Sequence, residues 1–248
     1  MPSEKLADPA FPDHVIYRPQ DLSAVPAAGL GILLWGNGGC MYDGASGRMH
    51  LLEVASHGYL AIAPGPINTG PGSPPKDQRI ARRTTWQEVV AGLDQAIAAN
   101  SDPSNALYGK LDLTKVAVAG HSCGGMQSLS AVLNDPRIKT AILHNSGLFR
   151  ADMFNGGPVP AGLEVIPKTE LAEITVPLLY ILGGPTDIAY LNGMDDYGYI
   201  TNAPVMIANI DLGHQGSFNQ INGSYPWESW LITPSIWLSP VARSSDSW

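Results

Sequence analysis

The most informative segment of this chain is Ala119-Gly120-His121-Ser122-Cys123-Gly124-Gly125. An apolar run at residues 116–119 leads into it, and a segment of small residues with helical character follows at 125–132. The pattern G-x-S-x-G between a strand and a helix is typical of a nucleophile elbow, a turn that lifts a serine hydroxyl above the sheet edge. Such a turn strains the serine backbone and needs glycines where helix and strand pass closely. The sequence therefore predicts a strand–turn–helix unit with Ser122 at its apex.

Ser122 is the predicted nucleophile. It stands at the start of a helix, where backbone amides favour negative charge developing beside it. An ordinary turn with an N-capping serine is the alternative, but it leaves the glycines on both sides unexplained. Cys123 is a second candidate nucleophile, although a side chain one residue past the apex is expected to turn into the packing.

Short apolar runs alternate with helical patterns along the whole chain. The runs lack the polar alternation of half-exposed strands, as expected for a parallel sheet covered on both faces. This alternation predicts an α/β fold with a mostly parallel central sheet and helices on both faces. Strands are predicted at 14–17, 31–35, 60–63, 140–144, 177–182 and 204–210, and helices at 45–56, 84–100, 189–200 and 225–238.

Length and composition favour one α/β domain over residues 1–248. Within it we predict an irregular N-terminal arm at 1–14, a short insertion at 148–173 with little or no cap domain, and a C-terminal tail at 240–248. The net charge of −8 and the absence of a basic run argue against nucleic acid and anionic membrane surfaces as partners. No apolar stretch reaches the length of a membrane span. The oligomeric state stays open.

The first residues, Met-Pro-Ser-Glu-Lys-Leu-Ala-Asp-Pro, have neither the basic region nor the apolar core of a signal peptide. The sequence is compatible with a cytoplasmic protein and with a secreted mature form whose leader has been removed.

Candidates for a base and an acid follow the last two predicted strands. A serine nucleophile needs a base, and the base needs an orienting carboxylate, in the chain order serine, acid, histidine. The segment G-G-P-T-D ends at Asp187, and D-L-G-H ends at His214. We therefore predict Asp187 as the acid and His214 as the base. The other histidines are less suitable as the base because they stand on other elements or precede the acid in the chain; they are His14, His50, His57, His121 and His144. Asp195 and Asp196 are predicted on the helix after the strand, and Asp211 is too close to His214 in sequence.

A glycine-rich loop, residues 36–40, follows the strand at 31–35. Neither G-x-G-x-x-G nor a closing Gly-Lys-Ser/Thr is present, which argues against dinucleotide and phosphate binding. The loop is predicted to contribute to an oxyanion hole, with backbone N–H groups of Cys123 and of Asn37 or Gly38 as donors. A plain turn is the alternative.

The two cysteines, Cys40 and Cys123, are far apart in sequence but are predicted on loops at the same sheet edge. They are either two small buried thiols or a disulfide that links the glycine-rich loop to the elbow. A bridge closing so long a loop would stabilise the fold by about 2–4 kcal/mol.

Five segments together resemble the α/β-hydrolase superfamily over nearly the whole chain. They are W-G-N-G-G-C at 35–40, H-G-Y-L-A-I-A-P at 57–64, G-H-S-C-G-G at 120–125, G-G-P-T-D at 183–187 and D-L-G-H at 211–214. The chain is similar to the small serine esterases around dienelactone hydrolase and the microbial polyester hydrolases. It departs from dienelactone hydrolase in having Ser122 rather than cysteine at the apex, and Trp35-Gly36 stands where His-Gly is usual.

The resemblance implies hydrolysis of a small-molecule carboxylic ester through an acyl-enzyme on Ser122, with no metal or organic cofactor. The acidic composition favours neutral or apolar esters. The same triad could instead serve thioester hydrolysis, acyl transfer, lactone formation or perhydrolysis, and a non-catalytic binding scaffold is a further alternative. Candidate residues for an apolar substrate pocket are Trp35, Met41, Tyr42, Met126, Tyr190, Phe218 and Trp227.

Overall fold

Strands and helices alternate along the described part of the chain, as the sequence predicts. The computed structural model describes residues 1–150, 158, 163 and 165–214. The strands are β1 (Ser3–Leu6), β2 (His14–Pro19), β3 (Leu30–Gly36), β4 (Tyr59–Pro64), β5 (Leu111–His121), β6 (Thr140–His144), β7 (Leu178–Leu182) and β8 (Val205–Asn209). The helices are α1 (Arg48–Ser56), α2 (Trp86–Ser101), α3 (Cys123–Asn134) and α4 (Tyr190–Tyr199).

The strands form one sheet in the order β1-β2-β4-β3-β5-β6-β7-β8. The β1–β2 and β2–β4 pairs are antiparallel, and all pairs from β4 to β8 are parallel. The predicted mostly parallel sheet is thus confirmed. Because parallel strands end at the same edge, the loops after β3, β5, β6, β7 and β8 all meet there.

Helices cover both faces of the sheet, and β3 shows why. Successive strand residues point to opposite faces. Ile32 and Leu34 belong to the larger core cluster together with residues of α2 and α3, whereas Leu33 and Trp35 pack with residues of α1 on the other face. An unbroken apolar run along β3 is therefore needed to fill the core on both faces of the sheet.

The N-terminal segment differs from the prediction. Residues 1–14 are predicted as an irregular arm, but Ser3–Leu6 forms β1 and pairs antiparallel with β2. The strand at His14, which the sequence predicts at the edge of the sheet, lies between β1 and β4 and is not an edge strand. The prediction was wrong because β1 has no apolar alternation. The charged residues Glu4 and Lys5 are adjacent, between Ser3 and Leu6, and only the pairing with β2 reveals a strand.

Some predicted features lie outside the described residues. These are the terminal helix at 225–238, the tail at 240–248 and much of the insertion at 148–173. Of that insertion, Lys168–Glu173 is described and forms a 3-10 helix. In the described part of the chain, no helix combines the length and the apolar character that crossing a bilayer requires.

Candidate active site

Ser122 occupies the sharp turn between β5 and α3. Its backbone has φ 53° and ψ −120°, a conformation that costs energy for any residue with a Cβ. The turn is held in place by the segment after β6, because the Ser122 amide donates to the His144 carbonyl (2.9 Å) and the Ser146 hydroxyl donates to the Ser122 carbonyl (2.6 Å). The strained turn expected from the sequence is present.

Glycines permit the close approach of three segments at this turn. A Cβ on Gly120 would overlap the backbone of Gly124, and a Cβ on Gly124 would overlap the carbonyl of Gly36. Gly120 and Gly124 are the glycines of the G-x-S-x-G pattern. Gly36 adds a contact that the sequence did not reveal, since the end of β3 lies directly against the start of α3.

His214 lies between Ser122 and Asp187. Its Nε2 is 3.0 Å from the Ser122 Oγ, and its Nδ1 is 2.6 Å from the Asp187 Oδ1. The structure thus brings together the three residues that the sequence proposes as nucleophile, base and acid. Each follows the carboxyl end of its strand: β5, β7 and β8.

The Asp187 carboxylate is fully buried and accepts four hydrogen bonds. Oδ1 accepts from His214 and from the Ala189 amide (2.8 Å), and Oδ2 accepts from the Asn145 side chain (2.8 Å) and the Gly183 amide (3.1 Å). Burial alone would raise the pKa of Asp187, but the hydrogen bonds from His214, Ala189 and Asn145 outweigh it and hold the pKa at about 2. Asp187 is therefore ionised at neutral pH and fixes the tautomer in which Nδ1 of His214 carries a proton.

The fold has a solved counterpart. The structure of a putative dienelactone hydrolase from Klebsiella pneumoniae superimposes with a TM-score of 0.56, covering 86% of this chain and 87% of that one at 15% sequence identity. At that identity the likeness concerns the fold. The chain has the α/β-hydrolase fold.

Two sequence comparisons add to this likeness in fold. The profile of a family described as PET hydrolase-like matches residues 46–150. The cutinase est2 of Thermobifida alba is 30% identical over 146 residues, which are 56% of this chain and 43% of the cutinase. The chain thus matches less than half the length of that relative. The resemblance to polyester hydrolases and dienelactone hydrolase is confirmed.

His121 and His144 flank the elbow but do not contact the Ser122 hydroxyl. The ring of His121 lies against Gly38, and its Nε2 is 2.8 Å from the His214 carbonyl oxygen, so it supports the loop of the proposed base. The ring of His144 packs against the rings of Trp35 and His50, which also contact each other. Burial lowers the pKa of His121 to about 4 and that of His144 to about 3. Both are neutral under ordinary conditions.

The predicted oxyanion loop lies beside the elbow. Cys123 is the first residue of α3, and the first amides of a helix have no intrahelical acceptor. Asn37 is fully buried, and its side chain donates to the carbonyls of Met41 and Pro64. Gly38 lies against the His121 ring, whereas Gly39, with φ 62°, is exposed and borders the cavity next to Ser122. Gly39 was not predicted.

Cys40 and Cys123 form a disulfide in the structure, with Cα atoms 5.2 Å apart. Of the two alternatives left by the sequence, the structure contains the bridge and not the two thiols. The bridge joins the residue after Gly39 to the residue after Ser122. It therefore connects the two backbone segments that border the reacting position.

Replacing both cysteines by alanine is expected to lower the free energy of unfolding by about 2–4 kcal/mol, because the bridge constrains a segment with a sequence separation of 83 residues in the unfolded chain. We also expect slower ester turnover, since the glycine loop is no longer tied to α3. Urea unfolding of the double variant, and of the wild type with and without reductant, measures the first effect. Two free thiols in denatured, unreduced wild-type protein would contradict the bridge.

A cavity of about 250 Å³ opens beside Ser122. Its described lining is mostly apolar and comes from the elbow, the segment after β6 and the segment before α4. The described residues that line it are Gly39, Ser122, Cys123, Met126, Ser146, Gly147, Phe149, Leu163, Ile188, Ala189, Asn192 and His214.

Met126 alone among the described pocket candidates lines this cavity. Trp35 is 1% exposed and packs under α1, Tyr42 is buried beneath the Arg82 guanidinium, and Tyr190 packs against the core. Met41 is exposed on the loop after Cys40 and does not border the cavity. These four side chains do not line the described cavity, because the direction of each side chain depends on tertiary packing. Phe218 and Trp227 lie outside the described residues.

No cluster of three or more histidine, cysteine or acidic side chains suited to a metal ion occurs within residues 1–150 and 165–214.

Proposed function

We propose that this protein hydrolyses carboxylic esters through an acyl-enzyme on Ser122. One observation carries the proposal: a continuous hydrogen-bonded chain runs from the Ser122 hydroxyl through His214 to the buried Asp187 carboxylate. A strained serine next to a histidine that is itself oriented by a carboxylate is the arrangement that activates a hydroxyl. The cavity beside it gives an ester room to bind.

His214 acts as the general base. Its Nε2 takes the Ser122 proton as the hydroxyl oxygen attacks the ester carbonyl, and it returns that proton to the leaving alcohol. Asp187 stays ionised and stabilises the imidazolium that forms. Water then attacks the acyl-enzyme by the same route, releasing the carboxylic acid and restoring the Ser122 hydroxyl.

The oxyanion is stabilised by backbone amides. We assign one donor to Cys123, at the N-terminal end of α3, and the second to the glycine loop at Gly39, which also borders the cavity. A preorganised donor of this kind contributes about 3–4 kcal/mol to transition-state stabilisation. The disulfide holds the two donors at a fixed separation.

The substrate is a neutral, apolar ester. The side chains of Met126, Phe149, Leu163 and Ile188 form an apolar wall, and no cationic side chain stands among the described residues that line the cavity. The net charge of −8 disfavours anionic substrates. The cutinase and PET hydrolase-like resemblances support a polyester-type or alkyl ester substrate.

A panel of p-nitrophenyl esters tests the proposal. We expect kcat/KM to rise from acetate towards medium acyl chains and to fall for a hemisuccinate ester of similar length, because its carboxylate meets an apolar wall. Matched thioesters, and alcohol or peroxide as competing acceptors, distinguish hydrolysis of oxygen esters from the other uses of the triad. Absence of turnover for every ester would contradict the proposal and favour a binding scaffold.

A further inference from the structure

Asn145 follows β6, the strand that pairs with the elbow strand β5. In the parallel pair β5–β6, His121 is opposite His144, so Asn145 comes directly after the strand next to the elbow. Asn145 is completely buried and does not border the described cavity. A direct contact with substrate is therefore not its role.

The Asn145 side chain joins the acid to the segment that carries the base. Its Nδ2 donates to the Asp187 Oδ2 (2.8 Å) and to the carbonyl oxygen of Gly213 (2.9 Å), the residue before His214. Both hydrogens of one amide group are thus used. A single side chain fixes the position of the carboxylate relative to the histidine backbone.

The backbone of Asn145 has a strained conformation. Its φ is 47°, in the left-handed region that favours glycine, and its amide donates to the Ile181 carbonyl at 2.7 Å. A glycine would adopt this conformation without strain. Its flanking residues, His144 and Ser146, hold the Ser122 backbone, so three consecutive residues brace all members of the triad.

We propose that Asn145 is a positioning residue, whose side-chain amide aligns the ionised Asp187 with His214. The inference rests on the proposed function, because it assigns a role within the same triad. Hydrogen bonds to a charged acceptor are stronger than those between neutral groups, so loss of this one is expected to matter.

Two substitutions separate this role from a purely structural one. Asn145→Gly keeps the left-handed backbone and removes the amide. We expect kcat to fall by about 10- to 100-fold with KM changed less than about threefold. Asn145→Asp keeps the shape but replaces the donors by a carboxylate. Two carboxyl groups at hydrogen-bond distance do not both ionise until the pH is raised, so the acid limb of the kcat/KM profile should move to higher pH.

Asn100→Ala serves as the control. The Asn100 side chain accepts a hydrogen bond from the Leu111 amide, at the end of β5 that is remote from Ser122. Its loss should lower the melting temperature and leave kcat and the pH profile unchanged. Melting curves of all variants show whether each is folded.

The outcomes distinguish this inference from the proposed function. A wild type that turns over esters, with Asn145→Gly within twofold of it and an unshifted acid limb in Asn145→Asp, overturns the positioning role alone. A wild type without ester turnover overturns both. A lowered kcat in Asn145→Gly together with a shifted limb in Asn145→Asp supports the role.

Discussion

Replacing Ser122 by alanine is expected to lower kcat for ester hydrolysis by about 10⁴-fold or more, with the folded structure retained. The alanine removes the oxygen that forms the acyl-enzyme, while the oxyanion donors and the cavity remain and support only weak residual catalysis. The strained φ of 53° at this position persists in the variant, so its stability should change little. Steady-state kinetics on the best ester of the panel measures the loss.

Ser130→Ala is the matched control for that variant. Ser130 also lies on α3 and is 2% exposed, but its hydroxyl makes no hydrogen bond among the described residues. Removing a buried hydroxyl without a partner should leave turnover unchanged and stability equal or slightly higher. Equal activity of Ser122→Ala and Ser130→Ala would contradict the assignment of the nucleophile.

Asp187→Asn is expected to lower kcat by about 10⁴-fold near neutral pH. Asparagine fills the same space, but its NH₂ group faces Nδ1 of His214 and favours the tautomer in which Nε2 carries the proton. Nε2 then cannot accept the Ser122 proton. The loss should appear in kcat rather than KM, because Asp187 is buried behind the histidine and does not border the described cavity.

Asp94→Asn provides the comparison for this charge change. Asp94 is an exposed residue of α2 that pairs with Arg137 at the surface. Exposed ion pairs contribute about 0–1 kcal/mol to stability, so neither turnover nor folding should change measurably. A residual kcat of Asp187→Asn above about one tenth of the wild type would show that Asp187 does not orient the base.

The fold can be predicted from the sequence because the proposed catalytic residues have to stand at the carboxyl ends of the strands, where their local motifs can be recognised. The sequence has a serine between two glycines at a strand–helix turn, and an acid and a histidine that follow two later parallel strands. Few folds other than this one place three such residues at one edge of a sheet. The alternating apolar runs then predict the parallel sheet. Ser122, Asp187 and His214 could be proposed from such local patterns, since each stands within a few residues of a strand end.

Other features depend on contacts that no local pattern reveals. The strand β1 exists through pairing with β2. Trp35 points into the core, and the Tyr42 ring is covered by the Arg82 guanidinium, although both residues stand near the site in sequence. Asn145 was missed because a buried asparagine after a strand has no distinctive motif. The one signal that could have found it is its position at the end of the strand next to β5. That position can be recognised only when the order of the strands in the sheet is known.

The most direct test of the account is covalent labelling of the native protein by a fluorophosphonate probe, followed by mass-spectrometric mapping. An activated serine attacks phosphorus and displaces fluoride, whereas an ordinary hydroxyl does not react. We predict a single adduct on Ser122 that is absent in Ser122→Ala and retained in Ser130→Ala. An unlabelled native protein, or an adduct at another residue, would contradict the central claim that His214 and Asp187 activate Ser122.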